Sequence, residues 1–576
     1  MLSRVFLILI VFSPSLVRSQ VVFTSPLPFG ILQVHGDRAD LRLHVAISGY
    51  SNFSYKFSSD IDTSSPEEGW ASISIHNGIV DTLLIVPKSL RDYSLNWRTG
   101  LSATDTGSVI SGLTPGHIIG VAGQSNAVGW VWPPPGQFVA VAKGDIRMLT
   151  NDLAWQQAEE PTDGVAQGPW IEMANELYAK IGDTLPIGIV NTAVGGTGLT
   201  ISIGSGRWLK NSPDTNDKMY PNAIDRFRHA GSELECLTWI QGEADGEGGA
   251  LWNPAIYRAK FAELMQDFAS DLGDAFPPFH LQISGFSGPS GSSKTYPEVR
   301  EAQRVLPPST LVGTAVGRPL WDSAFHYTVA TYQAVGQMFA GAVLKNLYGM
   351  SAPMYPPLMP DTVATLDSIT DGSIMGRYCF SIGWTRGGMP VPLTSVRPDQ
   401  YFALTADGIP LDTSLVWYRI SPRDPSRVQI GLRNDSITLN YNWLLTYDAT
   451  AGGERAPLAT IDPTTGDTIF ATAFYELPVE LSSGPPASVK EFSVQSVVPN
   501  PAANAIHCYL YSYKHETMTV ELLNTLGVML RSESAVVEEG LQDIPISTDG
   551  VASGNYWIVL RDENGNESIQ RAVFFH

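Results

Sequence analysis

Between residues 116 and 349 the chain alternates short apolar runs with longer amphipathic segments, and this alternation limits the folds that it can adopt. The apolar runs have the length of buried strands, and the segments between them have helical periodicity. Strands that alternate with helices form a parallel sheet with helices on both faces, and such sheets bind ligands at the carboxyl ends of their strands. We predict strands near residues 117–123, 144–150, 185–193, 234–240, 279–286 and 310–316, with helices that include Trp170–Ile181, Tyr257–Leu272, Tyr296–Leu306 and Val329–Leu347.

The first of these strands ends at Gly123-Gln124-Ser125-Asn126. Glycine at position 123 permits a sharp exit from the strand, and a helix that begins here presents backbone N–H groups beside Ser125. A serine at the tip of a buried strand is a suitable nucleophile for a hydrolase. The four residues by themselves are equally typical of an ordinary turn, so the interpretation depends on the rest of the chain.

Three later segments provide the other groups that a serine esterase needs. The second long strand is followed by the glycine-rich loop Val194–Leu199, and a third strand leads into Gln241–Asp245. The segment Trp321–Tyr327 precedes the last helix and contains an aspartate and a histidine. Attack on an ester requires a base for the serine proton, an acid that orients the base, and donors for the developing negative charge.

These segments resemble those of secreted SGNH-type esterases, specifically the sialate O-acetylesterase and acetylxylan-esterase-like group. The resemblance covers roughly residues 116 to 349, and its motifs follow the family's order along the chain: residues 123–129, 193–197, 239–245 and 299–303, and the late Asp/His pair. It implies a multidomain protein whose α/β catalytic domain has a flavodoxin-like parallel sheet.

The resemblance also implies a role for individual residues. Ser125 would be the nucleophile and His326 the base. The oxyanion would be held by the backbone N–H of Ser125, by an N–H of Gly195 or Gly196, and by the side-chain amide of Gln241. The two glycines also suit a simple tight turn, and Gln241 also suits the end of a strand.

The identity of the acid remains open between two carboxylates. The family usually places the acid three residues before the histidine, whereas Asp322 stands four residues before His326. Both spacings can bring the side chains together in a turn that leads into a helix, so Asp322 is the first choice. Glu243 is the alternative acid, because its segment faces the same predicted site.

The choice of histidine follows by elimination. Of the ten histidines, only His229, His280 and His326 follow the serine within the same predicted domain. His229 ends a helical segment, where a histidine interacts favourably with the helix dipole. His280 lies inside an apolar strand and is typical of a satisfied core residue. His326 is the one that lies in a strand-to-helix loop near a carboxylate.

The amino-terminal part of the chain suggests export. Residues 1–19 have the pattern of a signal peptide, and their apolar stretch is too short to span a bilayer. Residues 20–115 contain alternating segments such as Leu41–Ile47 without a convincing amphipathic helix. We therefore predict an N-terminal β-sandwich domain there.

Two further β domains are expected after the proline-rich break that begins at residue 352. Residues 361–480 are interpreted as a second β-sandwich. Residues 487–576 resemble the sorting domain of the type IX secretion route, on cues such as Val498–Ala502 and Gly554–Ile558. This resemblance implies a partner in the secretion machinery, a Bacteroidetes-like source, and a secreted or cell-surface location. An adhesion-type sandwich is the alternative.

Charge and cysteine content exclude several other functions. A formal net charge of −21 argues against nucleic-acid binding, because phosphate would be repelled. The three cysteines, Cys236, Cys379 and Cys508, fall in three different predicted domains, so no disulfide framework is expected. No cluster has metal-ligand spacing, the proposed chemistry needs no cofactor, and no segment after the signal peptide is long enough to span a membrane.

The resulting hypothesis is a secreted carbohydrate O-acetylesterase that acts on sialate or another acetylated glycan through a serine nucleophile. Two alternatives of other classes stay open. One is a non-catalytic carbohydrate-binding protein with a degenerate esterase core, suggested by the displaced Asp322. The other is a surface adhesion protein whose β domains carry the function. A lipase is disfavoured because no apolar lid segment is evident.

Overall fold

The protein is seen here as a computed structural model, in which the chain is multidomain and mostly β-sheet. The predicted signal peptide, residues 1–19, lies outside the described residues. The structure describes residues 20–58, 69–88, 92–99, 106–131, 140–162, 167–181, 185–201, 205–212, 217–247, 254–284, 296–322, 325–352, 354–362, 364–368, 378–394, 402–406, 409–411, 416–422, 424–432, 443–447, 458–462, 468–480, 492–498, 505–512, 515–524, 529–538, 540–547, 549–552, 554–563 and 567–574.

The chain divides into two compact units, of which the first contains the described residues up to Gly116 together with Leu153–Trp155 and Arg228–Ser232. Its strands pair mainly antiparallel, with β3 between β1 and β6 and with β4 between β5 and β7. They are β1 (Gln20–Ser25), β2 (Ile31–His35), β3 (Arg38–Ser48), β4 (Asn52–Ser58), β5 (Ala71–Ser74), β6 (Ile79–Pro87), β7 (Tyr93–Arg98) and the first part of β8 (Thr106–Gly123).

The alternation of side chains along β3 explains how this unit forms a core. Leu41, Leu43 and Val45 are fully buried, whereas the residues between them are partly exposed. Successive side chains of a strand point to opposite faces, so a period of two puts every second residue into the core. Each leucine or valine buried in this way contributes roughly 1.5–3 kcal/mol relative to an exposed one.

The second unit contains the rest of the described chain, and its first part surrounds a row of parallel strands in the order β9-β11-β8-β14-β15-β16. The further strands are β9 (Ile146–Leu149), β10 (Trp155–Gln157), β11 (Ile187–Asn191), β12 (Thr197–Gly198), β13 (Gly206–Arg207), β14 (Cys236–Ile240), β15 (Pro278–Gln282) and β16 (Thr310–Thr314). The helices are α1 (Ser125–Val128), α2 (Trp170–Ile181), α3 (Met219–His229), α4 (Glu243–Glu247), α5 (Pro254–Leu272), α6 (Tyr296–Arg304) and α7 (Val329–Tyr348).

Helices cover both faces of this row of strands. On one face Ile119 of β8 belongs to the same buried cluster as Trp170 of α2 and Phe339 of α7, whose rings lie 5.4 Å apart. On the other face Trp239 of β14 packs edge-on against Phe261 of α5 at 5.7 Å. The carboxyl ends of the strands remain uncovered by these helices and are where the site residues gather.

Strand β8 differs from the expectation in its length and in its pairing. We predicted that it begins at residue 117, but it begins at Thr106. Its early part pairs antiparallel with β7, whereas its later part pairs parallel with β11 and β14. The pairing around β8 is therefore mixed and not purely parallel. Residues 106–116 are rich in Gly, Ser and Thr, and it is the partner strands rather than local propensity that extend them.

The described residues between 358 and 480 form a mostly antiparallel sheet in the order β22-β21-β25-β28-β18-β19-β24-β23, with β17 and β20 also paired to β19, and a separate two-stranded sheet of β26 and β27. Its buried cluster includes Phe380, Ile382 and Trp384, and it also takes in Val316 after β16. The strands are β17 (Leu358–Pro360), β18 (Ala364–Ser368), β19 (Tyr378–Arg386), β20 (Met389–Pro390), β21 (Phe402–Ala406), β22 (Ile409–Pro410), β23 (Val416–Ile420), β24 (Arg427–Leu432), β25 (Trp443–Tyr447), β26 (Ala459–Ile461), β27 (Thr468–Phe470) and β28 (Phe474–Glu480).

Residues 492–574 form two sheets, β29-β30-β33 and β32-β31-β34-β35. Both sheets contribute to one buried cluster, as Ile506 and Leu510 of the first and Val520 and Ile558 of the second illustrate. The strands are β29 (Phe492–Val498), β30 (Ala505–Ser512), β31 (Glu516–Asn524), β32 (Met529–Val537), β33 (Gly540–Ser547), β34 (Gly554–Arg561) and β35 (Glu567–Phe574). The cue at Val498–Ala502 falls mostly outside the described residues.

Cys236 of β14 and Cys508 of β30 are buried free thiols. The side chain of Cys379 lies outside the described part of the chain. Among the helices that the structure describes, none combines the length and the apolar character needed to cross a bilayer.

The backbone conformation of Gly123, at the end of β8, leads us to predict an effect on stability. It has φ +133°, and an added Cβ would lie 2.1 Å from the backbone oxygen of Ile240. We therefore expect Gly123→Ala to lower the free energy of unfolding by at least about 3 kcal/mol, from backbone strain and from the clash. Urea unfolding followed by tryptophan fluorescence measures this loss.

Gly349 provides the matched control, because it also has a positive φ (+69°) but has no atom within 4 Å of an added Cβ. Gly349→Ala should cost only the roughly 1–2 kcal/mol of the left-handed conformation. Equal losses for the two variants would show that the close approach of β8 to β14 is not a constraint.

Candidate active site

Ser125 is the first residue of α1, two residues after the end of β8. The backbone N–H of Gln124 donates to the Ile240 oxygen over 2.9 Å, which holds the turn against the end of β14. The close approach leaves no room for a side chain at Gly123. The serine hydroxyl therefore lies at the carboxyl end of the parallel strands.

His326 lies between Ser125 and Asp322. Its Nε2 is 3.0 Å from the Ser125 hydroxyl, and its Nδ1 is 2.5 Å from Oδ2 of Asp322. The other oxygen, Oδ1, accepts from the backbone N–H groups of Phe325 and His326 at 2.9 and 3.1 Å. A spacing of four residues thus allows the carboxylate to hold both the imidazole and the turn that carries it.

The surroundings of His326 favour its neutral form. Burial lowers the pKa of this imidazole below its ordinary 6.5, and the hydrogen bond and charge of Asp322 partly oppose that shift. The indole ring of Trp130 stacks on the imidazole, with centroids 5.1 Å apart and an angle of 23° between the planes. An imidazole that is neutral at neutral pH can accept a proton from the serine hydroxyl.

Asn126 connects the nucleophile turn to the histidine segment. Its Nδ2 donates to the Phe325 backbone oxygen at 3.0 Å and to Oε1 of Glu243 at 2.6 Å. Its Oδ1 accepts from the Tyr327 backbone N–H at 3.3 Å and from the Tyr332 hydroxyl at 2.9 Å. The side chain is completely buried, so these bonds are shielded from competition by water.

Glu243 contacts Asn126 rather than His326. Burial is the main cause that raises the pKa of this carboxyl group to about 7, and the nearby charge of Asp245 raises it further. Within the part of the chain that the structure describes, its Oε2 is buried and has no hydrogen-bond partner. Of the two carboxylates considered from the sequence, it is Asp322 that touches the imidazole.

The glycine-rich loop lies beside the nucleophile. A Cβ on Gly195 would be 3.7 Å from the Ser125 Cβ, so the backbone of Gly195 is close to the reacting group. The loop is fixed by the Val194 N–H, which donates to the Gly123 oxygen at 3.1 Å, and by the Thr197 hydroxyl, which donates to the Val194 oxygen at 2.8 Å. Gly196 continues the loop with φ +68°.

Gln241 is not oriented as expected from the sequence. Its Nε2 donates to Asp245 at 2.6 Å and to the Thr197 backbone oxygen at 3.0 Å. Its Oε1 accepts from the Tyr257 hydroxyl at 2.8 Å, and the residue is fully buried. The amide therefore supports the loops behind the site, since both amide hydrogens already have acceptors within the protein.

Gln124, for which no role was expected from the sequence, is oriented differently. Its Oε1 accepts from the backbone N–H groups of Gly242 and Ala244 at 3.3 and 3.1 Å, and it lies 3.2 Å from the amide nitrogen of Gln241. The two backbone donors fix the orientation of the amide, and its Nε2 donates to no described acceptor. No motif signals this role, because only the folded chain supplies these donors.

Several other residues brace the site. Asp245 is fully buried and accepts from the backbone N–H groups of Leu199 and Thr200, each at 2.8 Å, and thereby orders the loop that contains them. Gln303 donates to the Gln241 backbone oxygen at 2.7 Å. Arg300 donates to the Ser284 backbone oxygen at 3.2 Å.

Two further residues of this region belong to the core and not to the site. Trp208 is fully buried against Trp239. His280 is fully buried, with Nδ1 2.9 Å from the Ser309 hydroxyl, and burial lowers its pKa to about 4. His280 is thus a core residue, as its position in an apolar strand suggested.

A cavity of about 620 Å³ opens over the serine. Both nitrogens of the His326 imidazole, which lines the cavity, are hydrogen-bonded, one to Ser125 and the other to Asp322. The described lining residues contain no recognisable set of metal ligands. The cavity is lined by Gln124, Ser125, Trp130, Val194, Gly195, Gly196, Ser205, Glu243, Ala244, Glu247, Phe325 and His326.

Comparison with known proteins finds family matches for two segments of the chain. Residues 115–345 match the family model described as carbohydrate esterase, sialic acid-specific acetylesterase, and residues 496–574 match the secretion system C-terminal sorting domain. The probable carbohydrate esterase At4g34215 of Arabidopsis thaliana is 28% identical over 272 residues, which cover 42% of this chain and 95% of that protein.

A solved structure shows a similar fold. The carbohydrate acetylesterase XAC1771 from Xanthomonas citri superposes with a TM-score of 0.57 at 17% identity, over 78% of this chain and 97% of the other. The chain thus contains a domain of the sialic acid-specific acetylesterase family of carbohydrate esterases and a secretion sorting domain, which indicates a secreted or cell-surface protein.

Proposed function

We propose that this protein is a secreted serine esterase that releases acetate from acetylated carbohydrates, with sialate and other acetylated glycans as candidate substrates. The observation that carries the proposal is the continuous chain from the Ser125 hydroxyl through His326 to Asp322, with separations of 3.0 and 2.5 Å, at the wall of an open cavity. The matched family and the acetylesterase structure support the choice of ester chemistry.

In the proposed reaction, His326 accepts the hydroxyl proton of Ser125 while the serine oxygen attacks the acetyl carbonyl carbon. Asp322 holds the imidazole in the required tautomer and stabilises the imidazolium that forms. The imidazolium then gives its proton to the departing sugar oxygen, which leaves an acetyl-serine. Water attacks this intermediate with His326 again as base, and acetate is released.

The oxyanion donors in this proposal differ in part from those expected from the sequence. The N–H groups of Ser125, Gly195 and Gly196 make no hydrogen bonds among the described residues, which leaves them available to a developing oxyanion. Because Gln241 is committed to Asp245 and Thr197, we assign the side-chain donor to Gln124 instead. Donors that are held in place before the reaction are worth several kcal/mol in the transition state.

The proposed architecture assigns residues 116–349 to a flavodoxin-like SGNH domain, with β-sandwich domains at residues 20–115, 361–480 and 487–576. The parallel pairings of β9, β11, β8, β14, β15 and β16 support the first assignment. A binding protein with a degenerate core has less support, because Asp322 contacts His326 despite its unusual spacing.

The first prediction of the proposed function concerns the nucleophile. Ser125→Ala should lower kcat/KM for p-nitrophenyl acetate at least about 10³-fold, because it removes the hydroxyl that lies 3.0 Å from His326 Nε2. Ser270→Ala is the control, since this exposed serine on α5 lies outside the cavity lining. Undiminished turnover by the Ser125 variant, at wild-type circular dichroism, would remove Ser125 from the mechanism.

A second prediction ranks the two carboxylates. Asp322→Asn should reduce kcat about 10²–10⁴-fold, because the amide cannot stabilise the imidazolium or fix its tautomer. Glu243→Gln should reduce kcat less than about tenfold, because an amide oxygen can still accept from Asn126. Steady-state kinetics on the two variants test this order, and the reverse order would identify Glu243 as the orienting acid.

A third prediction concerns pH. Since the pKa of His326 is lowered by burial, its neutral form persists below pH 6.5, and kcat/KM should fall only as the pH drops further and the imidazole is protonated. The acid limb should remain in Glu243→Gln, whose titrating carboxyl has been removed. A midpoint above 6.5 in wild type that disappears in this variant would assign the limb to Glu243 instead.

A further inference from the structure

We infer that the cavity selects uncharged acetylated sugars over sugars that carry their own carboxylate, such as sialates. This inference rests on the proposed esterase function and narrows its substrate class. It is carried by the charges that line the cavity around the nucleophile.

Two carboxylates of the short helix α4 face the cavity. Glu243 and Glu247 are four residues apart, so they lie on the same side of the helix, and both line the cavity that contains Ser125. Glu243 is buried beside Asn126, whereas Glu247 is partly exposed and accepts from the Tyr296 hydroxyl at 2.9 Å. A substrate carboxylate in this cavity would meet like charge.

The described lining offers no lysine or arginine to compensate. Proteins usually bind a carboxylate through the paired N–H groups of an arginine or through a lysine ammonium. Arg300 of α6 is not turned to the cavity, because it is 1% exposed and donates to the Ser284 backbone oxygen. Among the described lining residues, a sialate would thus find no cationic partner of the kind that normally offsets the loss of carboxylate hydration.

The other groups near the nucleophile suit an uncharged ring. Trp130 lies against His326, and Phe325 lines the same cavity, so aromatic surface adjoins the reacting atoms. An aromatic face packs well against the C–H face of a sugar while hydroxyl groups remain hydrated. The formal net charge of −21 adds a weaker, salt-screened repulsion of anions.

The test uses two substrate pairs whose members differ in charge and in one methyl group: an O-acetylated sialic acid and its carboxyl methyl ester, and an O-acetylated hexuronic acid and its methyl ester. Acetate release is measured with the full chain at low ionic strength and at about pH 8, where the substrate carboxyls are ionised. We expect kcat/KM to favour the uncharged member of each pair by about tenfold. Added salt should reduce this difference in kcat/KM, because it screens the charge repulsion.

Variants of Glu247 test whether its negative charge causes the preference for uncharged substrates. Glu247→Gln should raise the ratio of anionic to uncharged turnover about two- to sixfold, and Glu247→Lys should raise it further, as expected for one or two charges at several ångströms. Glu176→Gln removes an equal charge on α2, outside the lining, and should leave the ratio unchanged. Comparison of ratios rather than rates makes the result independent of any general loss of activity.

The outcomes separate this inference from the proposed function. Equal or better turnover of the acids, with ratios that do not respond to Glu247→Lys, would overturn the charge selection and leave the esterase intact. Acetate release from any substrate by wild type, abolished in Ser125→Ala, supports the proposed function independently. If wild type releases no acetate from either member of either pair or from p-nitrophenyl acetate, the esterase proposal fails, and the inference fails with it.

Discussion

The buried hydrogen bonds of Asn126 are the constraint on which the site depends. The residue follows the nucleophile directly, yet its amide binds the Phe325 oxygen and the Tyr327 N–H, on either side of the histidine. Two segments some two hundred residues apart in sequence are thereby held at a fixed separation. A hydrogen-bonded serine and imidazole need this separation to be kept within a few tenths of an ångström, because such bonds weaken steeply with distance.

The elements of the central region follow closely from its sequence. The helix predicted at Trp170–Ile181 has those bounds in the structure, because its apolar residues repeat with helical periodicity and face α7. Ser125, His326 and Asp322 were singled out from motifs that follow predicted strands together with the family resemblance, with Glu243 left as an alternative acid, and the structure brings the three residues into contact. Sequence order could place these segments at the carboxyl ends of parallel strands, but the choice between the two carboxylates required the fold.

Two features required three-dimensional information. Gln124 and Gln241 carry the same side-chain amide, and only the hydrogen-bond partners around each one determine which amide nitrogen is left free to donate to a substrate. The Gln241 nitrogen donates to Asp245, whereas the Gln124 oxygen accepts from backbone N–H groups. Residues 106–116 of β8 likewise look like a turn, and their extended conformation comes from pairing with β7 and β2. Neither partner set can be read from nearby sequence.

The side chain of Gln282, in β15, makes a connection that extends past the family match. Its amide donates to the Ala473 oxygen at 2.8 Å and its oxygen accepts from the Ala473 N–H at 2.9 Å, although the matched segment ends at residue 345. A fragment trimmed to that segment would lose both bonds to Ala473 and would keep only the bond of this amide to the Arg300 backbone oxygen at 3.0 Å. Each lost hydrogen bond is worth roughly 0.5–1.5 kcal/mol. We therefore expect a fragment that ends at residue 345 to be less stable around the serine than one that extends past Ala473.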